Sequence, residues 1–155
     1  MKTRTILLSL AALFAATVVC FAADDVNMGT WKLNEAKSKL AAGAAKNNTV
    51  VYTAAGDSVK VAIDGVDGSG KPMHTEWTGK FDGKDYPVTG DATSDVRSYK
   101  KVNAHTLEFA AKKGGKVTIS GRIAVAADGK SRTVTASGMD AMGMKQSSTA
   151  VYDKQ

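Results

Sequence analysis

The chain has 155 residues, of which 21 are Lys or Arg and 15 are Asp or Glu, so its formal net charge is +6. This length suits a single domain with one core. The lysines are scattered singly or in pairs such as Lys100-Lys101, with no arginine-rich block. Because nucleic-acid sites cluster basic residues on one face, we expect no nucleic-acid partner.

The N-terminus has the pattern of a secretory signal peptide. Lys2 and Arg4 precede an uncharged stretch over residues 5–19, and small residues follow. The stretch is shorter than the roughly 20 apolar residues of a transmembrane helix. We predict a signal peptide over 1–22, a single domain over 23–155, and an exported protein, periplasmic or secreted, without a stable membrane anchor. Loss of Lys2 and Arg4 would lower the formal charge to +4.

Cys20, the one cysteine of the chain, lies within this leader. Val19 beside it argues against lipid attachment of the bacterial lipoprotein kind. With cleavage after Ala22, the remaining chain contains no cysteine and therefore forms no internal disulfide. Packing and hydrogen bonds then provide its stability.

Beyond residue 47 the sequence predicts antiparallel strands. Runs rich in Val, Thr, Ile and Tyr alternate with Gly, Asp and Asn turn residues. Val59, Val61 and Ile63 recur with a period of two, which indicates one buried face. With the segment around Trp31, about eight to ten strands are expected. The runs cover residues 48–54, 58–64, 73–81, 95–102, 105–113, 116–125, 131–138 and 144–154.

The stretch 34–48 differs from these runs. It contains helix formers after Asn34, a good N-cap, but Gly43 limits a helix to a turn or two. A sheet in a chain of this size must protect its edges, and closure removes them completely. We predict an all-β fold, an antiparallel up-and-down meander closed into a barrel with a short helical segment after the first strand. A two-sheet sandwich gives the same strand signals.

Both ends of this predicted sheet resemble known barrel proteins. Met28-Gly29-Thr30-Trp31-Lys32-Leu33 resembles the opening strand of lipocalins and fatty-acid-binding proteins, and residues 149–154 resemble the last strand of the latter. With the hairpin over 100–108, the chain is similar to small secreted bacterial lipocalin-like proteins. The resemblance implies neighbouring first and last strands and a lid near 35–47. It also implies that Trp31 plugs one barrel end, the alternative being a ligand contact.

The resemblance departs at Ala150. Fatty-acid-binding proteins usually have arginine there, two residues before the tyrosine matched by Tyr152, and the pair holds a carboxylate. Arg97, which shares a strand face with Tyr99, could replace it, and so could Arg122; either arginine could instead face solvent or tie strands together. We predict an exported, monomeric, non-enzymatic protein that binds a small apolar or amphipathic molecule without a cofactor. The predicted ligand-binding residues are Trp77, Arg97, Tyr99 and Tyr152.

Two alternatives stay open. Met139, Met142 and Met144 supply three thioethers within six residues, a ligand type that suits Cu(I), so copper binding is one alternative. These methionines could equally cover a barrel end, and our metal assignment is none. The other alternative is a protein-binding barrel such as a hydrolase inhibitor. The sequence has no Gly-x-Ser-x-Gly elbow and no zinc-ligand spacing, so we predict no catalytic residues.

Overall fold

The computed structural model describes residues 25–139 and 143–155, and the predicted signal peptide and Met142 lie outside them. Each strand pairs antiparallel with its neighbours in the chain, and the first strand pairs with the last to close a barrel. This confirms the predicted fold class. The strands are β1 (Gly29–Leu33), β2 (Lys46–Ala55), β3 (Ser58–Val66), β4 (Pro72–Gly79), β5 (Tyr86–Thr89), β6 (Val96–Asn103), β7 (Thr106–Lys113), β8 (Lys116–Val125), β9 (Ser131–Met139) and β10 (Lys145–Lys154).

The closing seam lies between β1 and β10. Trp31 stands opposite Lys154, and Leu33 stands opposite Tyr152. On its other side β1 pairs with β2, with Trp31 opposite Val50. Because β1 is bonded on both sides, the opening Gly-x-Trp segment is part of a continuous wall.

The β1–β2 connection contains one 3-10 turn, Glu35–Lys37. Asn34 caps it as expected, its side chain accepting a hydrogen bond from the Lys37 amide at 3.2 Å. The helix extends no further because the next backbone bonds join Lys39 to Thr149 of β10, at 2.7 and 2.8 Å. Within the described residues, no helix is long and apolar enough to cross a membrane.

The sequence analysis missed a short strand, β5, which lies between β4 and β6. The predicted turn at Asp82-Gly83 exists, but Asp82 bridges to Lys100 of β6, and β5 then follows. This strand pairs through only two positions on each side and contains Pro87. Proline lacks the amide hydrogen that a central strand needs, so the segment does not have a strand-like sequence.

Burial divides the barrel into two ends. On the inward face of β8, Val125 and Ile123 are buried, whereas Ile119 is 37% exposed. Val117, which lies beyond a β-bulge and opposite Lys112, is 56% exposed. The closed end is where residues 25–28 pack beneath Trp31. The open end is formed by the connections after β1, β3, β5 and β7 and by the end of β9. The core therefore fills the closed half, and the strands extend beyond it towards the open end.

Candidate functional site

Residues 25–28 cap the closed end. The Trp31 indole is fully buried and donates to the Asn27 carbonyl at 2.8 Å. Asp25 accepts hydrogen bonds from the Lys101 ammonium at 2.6 Å and the Asn27 amide at 2.9 Å. The Lys154 ammonium lies 5.1 Å from the Trp31 ring centroid, a cation-π distance. These contacts place Trp31 at the barrel end, where the resemblance expects a plug.

A cavity of about 680 Å³ extends from the core to the open end. Its volume falls within the usual range of small-molecule sites, roughly 300–1,000 Å³. Aliphatic and aromatic side chains make up much of its wall, and a smaller polar set contributes from β2, β6, β9 and β10. The apolar wall includes Leu33, Leu40, Val50, Ile63, Met73, Phe109, Ile123 and Val134, and the polar set includes Tyr52, Arg97, Tyr99, Arg132, Ser148 and Tyr152.

Arg132 on β9 forms the floor of this cavity. Its side chain is buried, and its guanidinium carbon lies 4.7 Å from the ring centroid of Trp31, 4.9 Å from that of Tyr52 and 5.0 Å from that of Tyr152. The buried Nε and Nη1 atoms have no hydrogen-bond partner. No ion pair joins Arg132 to a carboxylate among residues 25–139 and 143–155. The cavity floor is therefore a buried positive charge with unused donors.

Arg97 on β6 differs, because its charge is compensated. Its Nη2 lies 3.0 Å from Asp91 Oδ2, and both side chains are largely buried. Asp91 also accepts hydrogen bonds from the Ser94 hydroxyl and the Thr93 amide. Burial alone would raise the pKa of Asp91, but these hydrogen bonds and the charge of Arg97 lower it below its usual value. Asp91 is therefore ionised and neutralises Arg97 near the open end.

The two tyrosines around Arg132 stay protonated at neutral pH. Burial raises the pKa of Tyr152 to about 12. Burial also raises the pKa of Tyr52, against a lowering by the charge of Arg132. Neither phenol therefore supplies the negative charge that Arg132 lacks, and both retain hydroxyl groups that can donate to a ligand.

Three of the four residues predicted for the ligand site, Arg97, Tyr99 and Tyr152, line the cavity. Trp77 is 1% exposed and lies outside the lining. Its indole donates to the Arg97 carbonyl at 2.9 Å, and its ring packs edge-on against Tyr99, with centroids 4.8 Å apart. Trp77 thus supports the wall that carries Arg97 and Tyr99.

Arg122, the other arginine considered for an internal anion, lies on the outer face and pairs with Glu108 at 2.8 Å. The sequence analysis missed Arg132. The sequence contained a signal for its inward position. Arg132, Val134 and Ala136 are two residues apart on β9 and therefore share one face of the strand. An arginine in the inward phase of a strand indicates a charge inside the barrel.

The candidate copper ligands are only partly described. Met139 is 72% exposed and Met144 is 52% exposed, both at the open end, while Met142 lies outside the described residues. Across the described ranges, no three His, Cys, Asp or Glu side chains form a group that could hold a metal ion. Copper binding stays an untested alternative.

No family model matches the sequence, and no curated protein matches it. Among solved structures, the chain is similar to the barrel EF1p2_mFAP2b bound to DFHBI, with 11% identity, 84% of this chain and 94% of that chain covered, and a TM-score of 0.46. The redesigned barrel mFAP1 bound to DFHBI has 11% identity, coverages of 83% and 95%, and a TM-score of 0.44. A further redesigned barrel, b11L5F_LGL, has 10% identity, coverages of 84% and 92%, and a TM-score of 0.43.

Proposed function

We propose that this is an exported, non-enzymatic protein that binds a small amphipathic anion in the barrel. The charged head of the ligand contacts Arg132, and its apolar part extends towards the open end. Export rests on the leader-like sequence over 1–22. The binding mode rests on the cavity and on the buried charge of Arg132, which forms no ion pair among the described residues.

The uncompensated charge of Arg132 is the observation that carries the proposal. A buried cation without a partner is costly, and an anion that pairs with it removes that cost. Water in the cavity could satisfy the free nitrogens but would leave the charge uncompensated. Since Asp91 already neutralises Arg97, the cavity has a net requirement for about one negative charge. A monocarboxylate meets it.

The wall above Arg132 favours an apolar tail. Val134, Phe109 and Ile63 lie on this wall, followed by Leu40 and Met73 near the open end. Removing about 200 Å² of apolar ligand surface from water contributes roughly 5 kcal/mol at about 25 cal/mol per Å². The tail therefore supplies affinity, and the charged floor supplies orientation.

Calorimetric titration with dodecanoate and with dodecanol tests this proposal, because the two probes share a tail and differ in charge. We expect dodecanoate to bind about ten- to a hundredfold more tightly, the range that hydrogen bonds to charged groups provide. Arg132→Met should abolish that preference while leaving dodecanol binding largely unchanged. Arg122→Met is the matched control, since Arg122 lies outside the barrel, and it should preserve the preference.

Equal affinities of the unmodified protein for the two probes would contradict the proposed head-group site. Retention of the preference in a folded Arg132→Met protein would contradict the role of Arg132. Arg132→Lys provides a second variant that keeps the charge, and it should retain part of the preference. Circular dichroism establishes that each variant keeps its strands before the titrations are compared.

A further inference from the structure

The open end has an asymmetric rim. Of the five large apolar side chains that are exposed within the described residues, four lie at this end on β8–β10, and Val102 lies elsewhere. Together the four, Val117, Ile119, Met139 and Met144, are called the rim patch below. Ile119 continues the inward stripe of β8 beyond the buried core, whereas Val117 follows a β-bulge and stands opposite Lys112 in register. Exposed apolar clusters of this kind mark interaction surfaces.

Three lysines flank the rim patch. Lys113 and Lys116 border the glycine turn between β7 and β8, and Lys145 stands opposite Met139 in the β9–β10 pairing. All three are exposed, and none forms an ion pair in the described part of the chain.

The nearby acidic groups do not cancel these charges. Asp85 already pairs with Lys112 at 2.7 Å. Asp95 accepts a hydrogen bond from the Gly114 amide at 3.0 Å and is the one unpaired carboxylate beside the turn among the described residues. Among the described residues, two positive charges therefore remain in excess at this side of the rim; Asp140 lies outside these residues.

We propose that the rim patch docks on an anionic lipid surface. Apolar side chains at its centre can enter the boundary between head groups and acyl chains, while flexible lysines reach the phosphates. A protein partner fits less well, because lysine is depleted in protein interfaces, whereas three lysines flank this patch. The inference is independent of Arg132, which lies at the opposite end of the cavity.

Docking in this orientation would direct the cavity towards the bilayer. Ile119 and Met139 belong both to the rim patch and to the cavity lining. An amphipathic molecule could therefore pass between lipid and cavity along a continuous apolar path.

Vesicle co-sedimentation tests the proposal. The probes are phosphatidylcholine vesicles and vesicles in which about a third of the lipid is phosphatidylglycerol. We expect binding to the anionic vesicles and at least tenfold weaker binding to the neutral ones. Each lysine contributes about a fivefold change in affinity near such a surface, so the triple variant K113Q/K116Q/K145Q should lose roughly a hundredfold.

The matched control is K84Q/K100Q/K130Q, which removes the same charge from positions near the closed end. It should lose only a few-fold. For the apolar part, V117S/M139Q should weaken binding, whereas V102S should not. The unmodified protein and all variants are purified in the same way and carry the same N-terminal residues. Any contribution of the residues before Asp25 to vesicle binding is therefore the same in every comparison.

Three outcomes would overturn the proposal. The first is absence of binding to anionic vesicles by the unmodified protein. The second is an equal loss in the two triple-lysine variants, which would indicate a general charge effect. The third is concentration-dependent dimerisation in sedimentation velocity that V117S/M139Q abolishes, which would assign the patch to a second copy of the chain.

Discussion

The closed end buries Trp31 completely and holds it with the Asn27 carbonyl, whereas the open end leaves Met139 72% exposed. Buried carboxylates, by contrast, are paired at both ends. Asp25 pairs with Lys101 at the closed end, and Asp91 pairs with Arg97 at the open end. Arg132 differs from these carboxylates, because it is buried and forms no ion pair among the described residues. Packing and paired charges therefore maintain the barrel, while the unpaired charge and exposed apolar surface are available to bind other molecules.

The largest expected effect is on the packing of the closed end. Trp31→Ala removes a fully buried ring and should lower the free energy of unfolding by about 3–5 kcal/mol, the usual cost of such a truncation. Urea unfolding followed by circular dichroism measures it. Met139→Ala at the open end is the control and should cost below about 0.5 kcal/mol. Similar losses for the two variants would contradict the contrast between the two ends.

The two arginines of the cavity provide the second comparison. Arg97→Met leaves Asp91 largely buried without its cation and should lower the free energy of unfolding by about 2 kcal/mol. Arg132→Met leaves no carboxylate of the described residues without its cation, and it replaces cation-π contacts with apolar ones. We therefore expect it to lower the free energy of unfolding by less than about 1 kcal/mol. Urea unfolding of both variants without ligand measures the two losses in free energy of unfolding. A larger loss for Arg132→Met would mean that Arg132 serves stability.

Acid should weaken both ends through their paired carboxylates. Burial raises the pKa of Asp25, but hydrogen bonds from Lys101 and Asn27 outweigh it, so the folded-state pKa lies below the usual value, as it does for Asp91. A lowered folded pKa gives stability that is present above the unfolded value, about 3.9, and lost as the pH falls through the folded value.

Asp25→Asn should therefore lower the free energy of unfolding by about 1 kcal/mol at pH 7, since the exposure of Lys101 screens the pair. The difference from the unmodified protein should shrink as the pH falls below the unfolded value of about 3.9. Urea unfolding at pH 7 and at a series of lower pH values measures it. A constant difference would indicate that the substitution acts through shape and not through charge.

The smallest effect is expected at the rim. Val117→Ser replaces a 56% exposed side chain and should change the free energy of unfolding by less than about 0.5 kcal/mol. Ile123→Ser, on the same strand but buried inside the barrel, should cost at least about 2 kcal/mol. Thermal unfolding of the two variants measures the difference in stability. Comparable shifts would mean that the rim is part of the core in solution.

Local sequence signals were sufficient for most of the fold. The alternation of Val59, Val61 and Ile63 and the Gly-rich turns predicted the strands, because both signals depend on neighbouring residues. β5 was missed because its four residues include Pro87 and form few ladder pairs. The segment after Asn34 was expected to form up to two helical turns, and its bonds to Thr149, distant in sequence, limit it to one.

The candidate site depended more on tertiary structure. Sequence comparison directed attention to Ala150 and to Arg97, whereas Arg132 lies on the adjacent strand, opposite Tyr152 in register. Its alternation with Val134 placed it on an inward face, yet only the closed barrel determines that no carboxylate of the described residues pairs with it. Likewise, Asp91 can compensate Arg97 only because the β5–β6 connection returns over the cavity.

The sequence by itself determined that the chain forms antiparallel strands with one apolar face and that its two ends resemble neighbouring strands of a barrel, because these properties reside in short segments. Only the tertiary structure decided which charges are paired, where packing ends and where a cavity remains. Those features depend on distances between side chains that are far apart in sequence, and the free energy of a buried charge depends on all of its neighbours together.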